Sequence, residues 1–98
     1  MKRAALALAL LAAPLAAPAA GQPGRDLAAG CAICHGTDGR PASADMPALA
    51  GMPAAQFIRR MREFREDARA ATVMHQIARG YSDSQVEAMA AWFAARRR

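Results

Sequence analysis

Cys31-Ala32-Ile33-Cys34-His35, "CAICH", is the five-residue stretch on which the reading of this chain turns. Two thiols stand three positions apart, and an imidazole follows the second directly. A redox dithiol would use Cys31 and Cys34, but that chemistry needs a βαβ setting, and nothing in the chain reads as a strand. A zinc site needs four ligands in a closed shell. The chain holds only 2 Cys and 2 His, and the spacing beyond Cys34 follows none of the usual zinc patterns.

The third reading of C-x-x-C-H is covalent attachment of c-type haem. Residues three apart share one edge of a helical turn. From there both thiols can form thioethers with the two vinyl groups of one porphyrin, and His35 projects under the ring to bind iron. Working outward, the chain context agrees. Met1-Lys2-Arg3 is a short positive start, Ala4 to Ala13 is an apolar run, and Ala17-Pro18-Ala19 has the small-x-small cleavage pattern. Residues 1–20 therefore read as a secretory signal peptide cleaved near Ala19 or Ala20. The run is too short to be a membrane anchor. What remains is a single domain over residues 25–98, of a size (roughly under 80 residues) at which one core is marginal without a staple. A disulfide between residues three apart restrains little, whereas a flat apolar macrocycle can become the centre of the fold.

The formal net charge of +5 overstates how basic the folded part is. Lys2 and Arg3 belong to the leader, and Arg96-Arg97-Arg98 form a terminal tail. The arginines that remain are balanced by the 8 Asp and Glu. A near-neutral body lacks the basic face that nucleic-acid binding needs, so no nucleic acid is expected as a partner.

Gly21 to Gly24 reads as a linker, and Arg25 to Ala32 as one or two helical turns. Gly36 to Met52 is rich in Gly, Pro, Ser and Asp and reads as ordered loop. Pro53 suits the first position of a helix. Phe57, Met61 and Phe64 recur at i, i+4 and i+7 with charges around them, an amphipathic helix ending near Asp67. Thr72 to Arg79 predicts a shorter helix stopped by Gly80. The last helix is the best signalled: Ser82 as N-cap, Gln85 at the capping-box position, and Tyr81 and Val86 where a hydrophobic staple packs. Val86, Met89, Ala90 and Phe93 make its apolar stripe. The class is all-α.

Haem iron in electron carriers commonly takes Met or His opposite the first His. Of the 6 methionines, Met1 leaves with the leader, Met61 and Met89 lie on apolar helical stripes, and Met46 and Met52 flank the loop close after His35. Met74 and His75 remain, and adjacent helical residues point about 100° apart, so only one can face a given centre. Met74, Ile77, Ala78 and Tyr81 form one stripe, while His75 shares a side with Arg79. Met74 is therefore the expected second ligand, provided this segment is helical.

These residues resemble the small class I c-type cytochromes and, among them, the haem subunits of flavocytochrome c sulfide dehydrogenase. "CAICHGTDG" (Cys31–Gly39) is similar to the attachment site and its turn. "MPALAGM" (Met46–Met52) is similar to the loop in which a proline lies beside the haem. "VMHQIARGYSDSQVEAMAAWF" (Val73–Phe93) is similar to the family's methionine, turn and final helix. The resemblance covers the chain from about Leu27 onward. It implies a small class I cytochrome c fold, with three to five helices around one covalently bound haem c. Residue by residue, it implies that Cys31 and Cys34 hold the haem, that His35 and Met74 ligate the iron, and that Pro47 accepts from the His35 ring and Leu49 lines the haem. It also implies that a helix around Leu27–Gly30 crosses the last helix around Met89–Phe93, with Gly30 allowing the close approach. Arg40 and Arg60 are candidate partners of the haem propionates.

The function expected from this is periplasmic transfer of single electrons, the chain itself being a non-catalytic haem subunit. The donor would be a separate FAD-containing sulfide dehydrogenase subunit, and the acceptor a downstream redox carrier. A free soluble shuttle of the cytochrome c-553 type is the alternative, and a haem enzyme or sensor with an open sixth site a further one. A free shuttle often carries a strongly charged steering face, whereas a permanent subunit needs an apolar docking patch. The neutral body leans towards the subunit. The apolar loop Ala48–Met52 is expected to border the exposed haem edge.

Overall fold

Pro23 opens the first helical segment, where its missing N–H would have had no partner in any case. Residues 22–98 are described by a computed structural model; the leader expected over residues 1–20 lies outside them. From Pro23 the chain stays helical as far as the motif, through α1 (Pro23–Ala28), a 3-10 turn at Ala29–Cys31 and α2 (Ala32–His35). The linker expected at Gly21–Gly24 is thus shorter than the composition suggests, because Pro23 and Gly24 already belong to α1.

Gly36 breaks this run with a φ of 78°. The loop that follows carries a second 3-10 turn, Thr37–Gly39, and is ordered by its own backbone. The Gly39 carbonyl accepts from the N–H groups of Leu49 at 2.9 Å and Ala50 at 3.1 Å, and the Gly51 N–H reaches the Phe93 carbonyl at 2.9 Å. Gly39 has a φ of +77°, and a Cβ there would stand 2.7 Å from the Ala50 nitrogen and 3.0 Å from Phe93 Cδ1. Both the dihedral and the space require glycine.

The amphipathic pattern becomes α3 (Ala54–Arg65), with Pro53 at its N-cap rather than one position inside. The helix stops where Asp67 takes a left-handed φ of 55°, which a short polar side chain tolerates better than most. α4 (Met74–Arg79) starts two residues later than the pattern from Thr72 suggests, because Val73 sits at the N-cap with a φ of −125°. α5 (Asp83–Ala94) carries the full capping box. Ser82 Oγ accepts from the Gln85 N–H at 3.2 Å, and Gln85 Oε1 accepts from the Ser82 N–H at 2.9 Å. Among the described residues there is no strand, and no helix is long and apolar enough to cross a membrane.

α5 is the central element, packing on α1 and on α3, while α4 packs on α3. Phe93 and Met89 are the largest fully buried side chains, each worth about 1.5–3 kcal/mol of burial. Phe57 meets Phe93 with ring centroids 5.5 Å apart. Met61 and Met89 are core residues, as their stripes indicate. Arg65 ties α3 to the start of α5, donating to Asp83 Oδ1 at 2.7 Å and to the Tyr81 carbonyl at 3.0 Å.

The α1–α5 crossing corrects the expectation about Gly30. A Cβ on Gly30 would meet nothing within 4 Å, whereas one on Gly24 would lie 2.3 Å from the Ala88 carbonyl oxygen and 3.1 Å from Trp92 Cβ. The close approach falls at the start of α1, two turns earlier than the resemblance implied, so Gly24 is the residue that permits it.

Candidate functional site

The motif lies on consecutive helical turns, with Cys31 closing the 3-10 segment and Ala32 to His35 forming α2. This puts Cys31 and Cys34 on one edge. No disulfide joins them, and Cys31 is half-buried while Cys34 is exposed. Burial pushes the Cys31 thiol above its ordinary pKa, since the apolar surroundings disfavour a thiolate. Ile33, between them, faces outward and is 90% exposed.

His35 ends α2 with its ring aimed at the following loop. Its Nδ1 lies 2.8 Å from the Pro47 carbonyl oxygen. A carbonyl only accepts, so Nδ1 carries the proton and Nε2 keeps its lone pair. This is how a ligating imidazole is held to one tautomer and one orientation. Gly39 makes it possible by folding the loop back, so that Pro47 returns beside α2.

Met74 opens α4 and is half-buried against the core. Cys31 and Leu49 pack on the same cluster. The fold therefore packs Cys31, Leu49 and the Met74 thioether on one core, although they are far apart in sequence. His75 faces elsewhere. Its Nε2 hydrogen-bonds the Arg69 carbonyl, and its Nδ1 lies 3.7 Å from Asp67 Oδ1. Arg79 donates to the same carboxylate oxygen at 2.7 Å. His75 and Arg79 do share a side, and it faces the turn after α3.

A cleft of about 620 Å³ opens between the loop after α2 and the first half of α3. Its lining includes Met46, Pro47 and Met52 together with three guanidinium side chains, Arg40, Arg60 and Arg98. No Asp or Glu side chain among the described residues lines it. Arg60 Nε is buried and has no hydrogen-bond partner in the protein. Arg98 is a site residue that the sequence did not single out; as part of a terminal basic run it carries no local signal. The tail reaches the cleft because Arg40 Nε donates to the Arg97 carbonyl at 2.7 Å.

The donor set suits haem. Two thiols lie on one edge, an imidazole is held with one nitrogen free, and a thioether lies at the core edge. A cleft continuing from Pro47 offers guanidinium groups, one of them with a buried N–H that has no partner, to a group that bears two carboxylates.

A helical chain with this motif at the end of its first helical run defines a class, the small all-α proteins that hold iron porphyrin covalently. The family model described as Cytochrome c matches residues 21–95, and the chain belongs to that family. It is an electron carrier with covalently bound haem c. A thiosulfate dehydrogenase electron acceptor of Stutzerimonas stutzeri is 40% identical over 62 residues, which is 62% of this chain and 29% of that protein. A cytochrome subunit of sulfide dehydrogenase of Chlorobaculum tepidum is 32% identical over 80 residues, 82% of this chain and 72% of that protein. The match thus spans less than a third of the first relative and most of the second.

Proposed function

We propose that this chain is the monohaem subunit of a periplasmic sulfide dehydrogenase, accepting electrons singly from a separate FAD-containing subunit and passing them to a downstream carrier. Cys31 and Cys34 hold the haem as thioethers, His35 and Met74 are the iron ligands, Pro47 holds the His35 ring, and Leu49 lines the haem. The observation that carries this reading is the hydrogen bond from His35 Nδ1 to the Pro47 carbonyl. It leaves Nε2 as the one ring nitrogen able to bind iron. The haem supplies a one-electron iron couple. The protein's own part would be to hold the imidazole's tautomer, supply the Met74 thioether as the other iron ligand, and keep reorganisation small through a packed core.

The partner reading is supported by the Chlorobaculum relative, named as a cytochrome subunit of sulfide dehydrogenase, and by the near-neutral body. It is also supported by exposed apolar side chains: Ile33, Val73 and Ile77 are exposed, and they flank the motif and Met74. The loop expected to border the exposed edge serves differently, because Ala50 and Met52 are buried and only Ala48 is fully at the surface. A second reading, a diffusing shuttle of the cytochrome c-553 type, is favoured by the Stutzerimonas relative, whose name is that of an electron acceptor.

The test is native purification from a periplasmic extract. The expected result is a cytochrome that co-elutes with an FAD-containing subunit at moderate salt and is reduced when sulfide is added. The isolated chain should be reduced slowly or not at all. Denaturing mass spectrometry should show one haem still attached. A free monomer that sulfide reduces no faster with the flavoprotein present would give the shuttle reading. A polypeptide mass without haem would remove both.

A further inference from the structure

Pro47, whose carbonyl holds the His35 ring, stands in a stretch with few bonds of its own. Among the described residues, Pro41 to Ala48 hydrogen-bond only within the stretch, Met46 to Ser43 and Ser43 to Asp45, apart from the bond of Pro47 to His35. The position of the Pro47 carbonyl is therefore set by what anchors the two ends, and both ends meet the residues after α5. At one end, Arg40 Nε donates to the Arg97 carbonyl at 2.7 Å, across 57 positions of sequence. At the other, the Gly51 N–H donates to the Phe93 carbonyl at 2.9 Å, and that carbonyl also takes the Arg96 N–H at 3.0 Å. A Cβ on Gly51 would lie 2.7 Å from Arg98 Cγ and 3.3 Å from the Arg96 carbonyl oxygen, so the tail lies directly on this turn. The root of the tail is itself fixed. Arg96 Nε donates to the Trp92 carbonyl at 3.1 Å, and its guanidinium sits 4.5 Å from the centre of the Trp92 ring. Arg40 also touches the ligand side directly: its backbone lies against Gly36, the residue after His35, where a Cβ would strike the Arg40 carbonyl.

We propose that residues 96–98 strap the Pro47 loop to the end of α5, and that Arg40 is the positioning residue that closes this strap and so sets the His35 Nδ1–Pro47 hydrogen bond. Other arginines of this protein pair with acids: Arg65, Arg69 and Arg79 each meet a carboxylate at 2.7 Å. Arg40 makes its short contact with a backbone carbonyl instead, and its nearest carboxylate, Asp38, stands off at 3.5 Å from Nη1. A hydrogen bond from a charged donor is stronger than a neutral one, so one such bond can hold the tail where the helical bonds of α5 have ended. The consequence for the haem runs through the imidazole. A ligating histidine that donates its other N–H is a more basic ligand, and a more basic ligand favours ferric iron. Loosening the strap weakens that bond and raises the potential, whereas removing a positive charge alone lowers it. Arg40 is exposed, so solvent screens its charge and the hydrogen-bond effect prevails. The inference rests on ligation of haem iron by His35, which the low-spin spectrum of the wild type reports by itself. A wild type without that spectrum would remove the ligation reading, and exchange of the loop amides would still judge the strap.

The experiment compares reduced, isotope-labelled holoprotein of the wild type, Arg40→Gln, Arg40→Lys and Arg97→Gln. Hydrogen exchange of the His35 Nδ1–H and of the Leu49, Ala50 and Gly51 amides is read by NMR, and the potential by redox titration. Arg40→Gln should speed exchange at all four positions about five- to tenfold, the weight of one hydrogen bond, and should raise the potential. Arg40→Lys keeps a cationic donor and should fall between it and the wild type. Arg97→Gln loses the same charge but keeps the accepting carbonyl, and should exchange as the wild type does. Unchanged exchange in Arg40→Gln, or a potential that falls, would leave Arg40 as a charge only and overturns the proposal. So does an Arg97→Gln variant that exchanges as fast as Arg40→Gln, since the carbonyl would then not be the anchor. Should Arg40→Gln fail to mature with haem, the wild type decides. The Arg96 and Gly51 amides share the Phe93 carbonyl, and similar protection of the two supports the strap. An Arg96 amide that exchanges as in an unstructured peptide overturns it.

Discussion

Met74 and His75 are chain neighbours in opposite surroundings. Met74 lies half-buried against the cluster that also takes Cys31 and Leu49. His75 has one ring nitrogen on the Arg69 carbonyl and the other near Asp67, with the Phe64 ring 6.2 Å away. An imidazole whose nitrogens are occupied in a turn is a poor ligand for a centre on another face. Met74→Ala should therefore open the iron to imidazole or carbon monoxide and lower the potential, since a methionine ligand raises it. His75→Ala should leave the visible spectrum nearly unchanged and cost about 0.5–1.5 kcal/mol for the lost hydrogen bond. Optical ligand titration of both variants checks this; loss of the low-spin spectrum in the His75 variant alone would reverse the assignment.

Among elements, α5 does most of the organising, and its contacts at two places can be tested separately. At the α1 crossing, Gly24→Ala drives a Cβ into the Ala88 backbone oxygen, which cannot swing aside as a side chain can. Overpacking of this kind costs about 1–3 kcal/mol. Gly30→Ala meets open space and should be neutral or stabilising by up to about 1 kcal/mol. Thermal melts of the two holoproteins should fall in that order, and a larger loss at Gly30 would move the crossing back to it. At the N-terminus of α5, the hydrogen bond and charge of Arg65 hold the Asp83 carboxyl below its ordinary pKa. A carboxyl depressed in the folded state stabilises above its unfolded pKa, and loses that contribution as pH falls through the folded one. Asp83→Asn should thus lower Tm slightly at neutral pH, Asp83 being exposed, and the gap from the wild type should close in acid once the folded-state carboxyl is protonated. A gap that persists in acid would assign the effect to something other than the Arg65 pair.

For the whole molecule the limiting quantity is core volume. The buried apolar residues among those described are Ala28, Ala50, Met52, Phe57, Met61, Ala78, Val86, Met89, Ala90 and Phe93. Four of these ten are alanines, which bring little area, and a domain this small is marginal on such a core. The cofactor is therefore part of the fold as well as of the function. Replacing both attachment thiols, Cys31→Ser with Cys34→Ser, should abolish stable haem retention together with most of the far-ultraviolet helical signal and the cooperative melt. Full helicity and a sharp melt in the haem-free variant would show that the protein core suffices alone.

What the sequence by itself determined is local. The C-x-x-C-H spacing, the Ser82–Gln85 capping box, the stop near Asp67 and the face that separates Met74 from His75 all depend on residues within a turn or two of one another. Side-chain period and cap chemistry decide such features before any packing occurs. The fold class followed from the same signals, because helical period and caps recur along the chain and nothing alternates as a strand. Only the tertiary structure decided which glycine lies under the α1–α5 crossing, since that depends on where two helices meet in space. It also decided that Ala50 and Met52 turn inward, through the hydrogen bonds that fold the loop onto Gly39 and Phe93, while Ile33 and Ile77 stay out. It separated Arg40 from Arg60 as well, two equivalent cations in the sequence. One reaches the Arg97 carbonyl, and the other is left with a buried N–H, because the reach of a long side chain is set by what the fold brings to its far end.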